Sequence, residues 1–247
     1  MITGFVLVKI FACREHAEAF REGHLWANTL GHFRQLEGQD GQGDPGEGGL
    51  RIPDGAVLTL GDTPFVVGQD IRSVVFHSNL TDRVNVVCMF ALHSGLLPDP
   101  NTLDLPDDQM EYRHVFKLPD SMSDDFGPHA VVVTDLKAFT ERVNQSLKSL
   151  HSEGRCLLYR QGLVNYADTP PSFFDYMEDT ETRVPPLAPV FVKGTYFRYQ
   201  SEYRIAFDSG DNQEQVRILD IGDIHDITFA LPTAVLKAEL VFSRDEA

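Results

Sequence analysis

A succession of short β-branched runs, set off by turn residues, most restricts what this chain can fold into. VLTL (57–60), PFVV (64–67), RSVVF (72–76) and NVVCMFAL (85–92) are separated by Gly, Asp or Asn. Runs this short, bounded by turn formers, are strands with short connections. GFVLVKIF (4–11) is continuous and apolar, the pattern of a strand covered on both faces. HAVVV (129–133) and AELVF (238–242) are further strands, and 24–27 a short one. CLLYRQGLVNY (156–166) reads as a hairpin around Gln161-Gly162. EYRIAF (202–207) and EQVRILDI (214–221) read as a second hairpin across DSGDN. Helices are fewer. Ile10, Cys13, Ala17 and Phe20 line one face of a helix that Gly23 stops. Leu136, Phe139, Val143, Leu147 and Leu150 form the stripe of a second helix, capped by Thr134 or Asp135. Residues 29–36 form a helical turn, and PPSFFDYMED (170–179) starts with proline as short helices do. The sum is an α+β chain with largely antiparallel sheet, in one domain over 1–247.

Two segments depart from this texture. Six of the twelve residues from 38 to 49 are Gly, which predicts a flexible loop of the length that lids and binding loops have. Residues 98–125 carry eight acids and two bases with four prolines, which predicts an acidic surface excursion. The whole chain of 247 residues has 37 Asp plus Glu against 21 Lys plus Arg, a formal net charge of -16. Such a chain is a poor passive binder of nucleic acid or anionic membrane. It suits docking to a basic protein partner. The run 2–12 is broken by Lys9 and has no basic flank, so it does not read as a signal peptide. Three widely spaced cysteines fit free thiols, and a cytoplasmic protein is expected.

The common catalytic and phosphate-binding strings are absent, and His16, His24 and His32 fall eight apart, a spacing that suits no metal. Two places remain. Gln200 and Glu202 stand two apart at the start of a strand, so an amide and a carboxylate face one side. A carboxylate so placed can stabilise an oxocarbenium-like transition state, as in glycoside cleavage. The plainer reading is a surface pair of Glu202 with Arg204 or Arg198. Lys9 lies in the middle of an apolar strand, where it either snorkels to water or forms a cation at the floor of a cleft.

The order of segments resembles a bacterial and phage protein family distantly related to mono-ADP-ribosyltransferases. A basic residue in the first strand (Lys9) is followed by G-x-L-x-x-N-T-L-x-x-F-R-x-x-E, here Gly23 to Glu37. A D-x-x-E-G string follows (Asp44 to Gly48), then a central strand with Cys88 and Phe90. The tail string is matched by Lys193, Phe197, Gln200, Glu202, Tyr203 and Arg204. Lys9 stands where the family usually has Arg or His, and no Ser-Thr-Ser string is present beyond loose candidates at Ser78 and Ser94. The resemblance implies an ADP-ribosyltransferase-like fold, two mostly antiparallel sheets around an NAD cleft. It implies catalysis by Glu202 assisted by Gln200, and NAD contacts from Lys9, Phe33, Arg34, Tyr203 and Arg204. The activity implied is NAD-dependent transfer of ADP-ribose to a nucleic acid or protein acceptor, in a toxin or phage-defence setting. Two other readings stay open: a non-catalytic acidic interaction protein that keeps the fold, and a hydrolase pairing Glu202 with Asp44 or Glu47.

Overall fold

The computed structural model describes residues 5–35, 46–93, 111–117, 122–173, 187–210 and 215–243. These form an α+β structure in which nearly all strand pairing is antiparallel. The chain falls into two compact units. One comprises Met1–His24, Met89–Arg142 and Gly222–Ala247, the other Leu25–Cys88 and Val143–Ile221.

In the first unit, β1 (Phe5–Phe11) is the organising strand. It pairs antiparallel with the end of β7 (Asn85–His93) and with β9 (His129–Val133), and β9 pairs with β15 (Thr228–Pro232). Alternation along β1 sends Val8 and Ile10 into a core with Phe90, Leu92, Ala130, Val132 and Leu236. Lys9 belongs to the opposite set, is half-buried, and stands opposite Val131. Helix α1 (Arg14–Arg21) buries Ala17 and Phe20, two of the four positions its periodicity singles out; Ile10 belongs to β1 and Cys13 precedes the helix, which is shorter than the stripe implied. Phe20 meets the rings of Phe11 at 5.5 Å and Phe139 at 6.3 Å. Gly23 ends this helix at φ +93°, where a Cβ would lie 2.0 Å from the carbonyl oxygen of Gly222. No other residue fits that turn without strain. The acidic excursion is only partly described, and it is not wholly irregular. Residues Glu111–Lys117 form β8, paired with β16 (Lys237–Ser243), and Met122–Phe126 form a short helix, α4.

In the second unit, β13 (Glu202–Asp208) is buried at every position. It lies between β10 (Leu158–Leu163) and β7. β2 (His24–Thr29) pairs with the start of β7 and with β14 (Arg217–Asp220). Smaller antiparallel pairs are β3 (Leu50–Ile52) with β6 (Val74–Phe76) and β4 (Val57–Leu60) with β5 (Thr63–Val66). β11 (Asn165–Ala167) and β12 (Val192–Gly194) pair in parallel. The core gathers Leu30, Val84, Val86, Leu187, Val190, Phe191 and Ala206. Helix α5 (Leu136–Ser152), whose residues up to Arg142 belong to the first unit, starts where expected: the Asp135 side chain accepts from the Ala138 N–H at 2.9 Å.

Both hairpins expected from the sequence are corrected. Gln161-Gly162 is no turn; β10 runs straight through it, with Gln161 opposite Ile205 and Gly162 opposite Arg204. Pairing with the fully buried β13 outweighs the local turn preference of the dipeptide. β14 pairs with β2, not with β13. Residues 174–186 and most of the loop 38–49 lie outside the described residues, and with them most of the helix expected at 170–179.

Candidate functional site

β13 alternates, so Glu202, Arg204, Ala206 and Asp208 share one face and Tyr203, Ile205 and Phe207 the other. Ala206 joins the core. Asp208 accepts from Arg83 at 3.2 Å. Glu202 and Arg204 are the start of a buried charge cluster. Arg204 donates to Glu202 at 2.8 Å, to the backbone carbonyl of Val190 at 2.5 Å, and to Glu47. Lys193, on β12, donates to Gln200 at 2.8 Å and reaches Glu202 at 3.4 Å. Its ammonium also sits 4.9 Å from the centre of the Phe197 ring. The side chains of Lys193, Arg204, Glu47 and Glu202 are between 0% and 9% exposed.

Gln200 and Glu202 therefore do address one point, but not by strand alternation. Gln200 closes a 3₁₀ turn (Thr195–Gln200), and Ser201 follows in the left-handed region at φ 42° before β13 begins. That kink brings the amide oxygen and the carboxylate to the same ammonium. The backbone N–H of Glu202 donates to the Tyr166 hydroxyl at 2.8 Å.

The electrostatics follow from burial and pairing. Burial pushes the Glu202 carboxyl up, but the charges of Arg204 and Lys193, with hydrogen bonds from Cys88 and Arg204, outweigh it and hold the group at about 2. Burial pushes Lys193 down, and the Glu202 and Glu47 charges more than reverse this. Arg204 behaves likewise and lies well above the usual guanidinium range. Glu202, Lys193 and Arg204 are thus charged at neutral pH, and the Glu47 side chain lies against Arg204. Glu47 Oε2 and Arg204 Nε are buried without a hydrogen-bond partner.

The remaining expected site residues lie elsewhere. Phe33 packs against the core around Leu30 and Val86. Arg34 is clamped by Asp82 through two bonds of 2.7 and 2.6 Å and approaches His77 at 2.9 Å. Tyr203 faces away from Glu202; its hydroxyl donates to Gln161 at 2.8 Å, and burial pushes the phenol up. Lys9 belongs to the first unit. Glu47, expected as a hydrolase partner of Glu202, does reach the cluster, through Arg204. Lys193 and Cys88, singled out only as members of motif strings, join it as well, so three of the four strings converge on one place.

Lys193 also lines a cavity of about 190 Å³ in the second unit, with Asp168 as its other charged side chain. Among the described residues no three His, Cys, Asp or Glu side chains gather as metal ligands, and no helix is long and apolar enough to cross a membrane. Comparison of the chain with protein-family models, curated proteins and solved structures finds no match.

Proposed function

We propose that the chain is a non-catalytic acidic binding protein, of an ADP-ribosyltransferase-like fold, whose Q-x-E string has become part of a structural lock. One observation carries this reading: Glu202 is buried and committed to two cations at once. A carboxylate that stabilises a developing oxocarbenium ion must meet the sugar with its charge unspent. Here the charge of Glu202 is spent on Lys193 and Arg204, and the amide oxygen of Gln200 is spent on Lys193. The cluster is formally neutral, so the net -16 belongs to the rest of the chain. In the first unit Glu18, Glu141, Asp223 and Asp226 keep between 47% and 70% of their side chains exposed. These four face Arg21, Lys137, Arg142 and His225, so the fit to a basic macromolecular partner rests on the net charge of the whole chain, through contacts that weaken as salt screens them.

The second reading is NAD-dependent transfer of ADP-ribose to a macromolecular acceptor. It is favoured by the position of Lys193, which touches both Gln200 and Glu202 and also lines an open cavity. One experiment decides between the two. The chain is incubated with NAD, and nicotinamide release and the melting temperature are followed. The first reading expects neither release above buffer nor a rise in melting temperature. Release that disappears in a folded Glu202→Gln variant would establish the second reading instead.

A further inference from the structure

The cavity in the second unit has a sign of its own. Its apolar walls are Ala167, Pro170, Pro171 and Val192, and two charged residues, Asp168 and Lys193, complete it with glycines. The Lys193 charge is not on offer to a ligand. That side chain is 3% exposed, and its ammonium is held by Gln200, Glu202 and the Phe197 ring. Asp168 is exposed. Its Oδ1 accepts from the Thr195 hydroxyl at 2.5 Å, which ties the side chain to the turn after β12 and leaves acceptor capacity on Oδ2. The accessible charge in the lining is therefore negative. The walls agree with that sign, because prolines offer no N–H to an anion.

At about 190 Å³ the cavity holds about six water-sized groups of roughly 30 Å³ each, and lies below the roughly 300–1,000 Å³ of drug-sized sites. That is the bulk of one long side chain. Arginine and lysine both carry the right sign. Arginine is recognised best by a carboxylate with both oxygens open to its fork, whereas an ammonium is a point donor that one oxygen satisfies. With Oδ1 committed to Thr195, Asp168 suits the ammonium, and the methylene stem packs against proline and valine. Tyr196, next in the chain to Thr195, is 81% exposed, an aromatic of the kind that protein interfaces cover. We infer that this cavity receives one lysine side chain of a basic protein partner, with Asp168 as its counter-charge. The inference rests on the reading above that the chain binds such a partner.

The test titrates the full chain, followed by its backbone amide NMR signals, with Nα-acetyl-lysine amide, the same compound acetylated at Nε, and Nα-acetyl-arginine amide. The lysine probe should shift the amides of Ala167, Asp168, Val192 and Gly194 saturably. The Nε-acetylated compound, which keeps the stem without the charge, should not saturate, and the arginine probe should bind more weakly. Asp168→Asn keeps an acceptor for Thr195, so it should hold the urea midpoint of the parent while the lysine probe binds about tenfold or more weakly, the worth of one hydrogen bond to a charged group. The inference is overturned if the lysine probe does not saturate, if the Nε-acetylated or arginine probe binds as tightly, or if Asp168→Asn binds as the parent does. It fails separately from the reading it rests on: a null titration leaves the absence of NAD turnover standing, and NAD turnover would remove that reading without moving these shifts.

Discussion

Truncating Glu202 tests the lock at its centre. Glu202→Ala removes the acceptor shared by Lys193 and Arg204; Arg204 keeps Glu47 and Lys193 keeps only the Gln200 amide, so one positive charge is left uncompensated among side chains 3% and 2% exposed. Breaking a buried ion pair from one side costs about 3–5 kcal/mol, because the remaining charge is left uncompensated. The same two cations hold the carboxyl well below its ordinary range against the opposing effect of burial. Domains are stable by only about 5–15 kcal/mol, so the variant loses a large share. The assay is urea unfolding followed by circular dichroism, in which the midpoint falls while the slope stays constant. The pH dependence supplies a sign. The folded value lies below the unfolded one, so the contribution is complete above 4.5 and drains as pH falls toward about 2. The gap between parent and Glu202→Ala should therefore narrow steadily over that window. A loss below about 1 kcal/mol at neutral pH, the worth of an exposed pair, would refute the reasoning. The same arithmetic means that lost activity in Glu202→Ala alone is no proof of catalysis, which is why Glu202→Gln with a folding control is the informative variant.

Gly23→Ala should destabilise the chain by more than about 1 kcal/mol, since φ is +93° and the new Cβ would overlap the Gly222 carbonyl; an unchanged melting temperature would contradict this. Asp135→Ala should cost about 1 kcal/mol by removing the side-chain cap of α5, read as a lower urea midpoint. His225 is raised above 6.5 by hydrogen bonds to Glu18 and then Asp223. Its stabilising effect is therefore complete below 6.5 and lost as pH rises through the higher folded value. Melting curves of the parent and His225→Gln should differ most on the acid side of that window and converge on the alkaline side.

The elements set by local periodicity were legible from residues alone. The stripe of α5 with its Asp135 cap, the buried pair Ala17 and Phe20 on α1, and the stop at Gly23 all depend on neighbours in sequence. The hairpins were not, because Gln161-Gly162 looks like a turn until β13, forty residues on, pairs across it. The site was half legible. The spacing of Gln200 and Glu202 pointed to a shared target, and Arg204 was named as a partner of Glu202. What spacing could not give was burial. The plainer reading puts this pair at the surface, whereas Glu47 arrives from the turn at 46–48, 157 residues from Arg204, and with Lys193 on β12 closes it off. Whether a carboxylate is a free catalytic group or half of a neutral buried pair depends on those distant arrivals.

Glu202 stays ionised at neutral pH and held by Lys193 and Arg204, and its own titration reads this out. The carboxyl carbon of Glu202 can be followed by ¹³C NMR as pH is lowered in the folded chain. Its shift should stay at the ionised value through the ordinary carboxylate range, with a midpoint near 2. A midpoint at or above 4.5 would show a carboxyl free of Lys193 and Arg204, and would contradict the account.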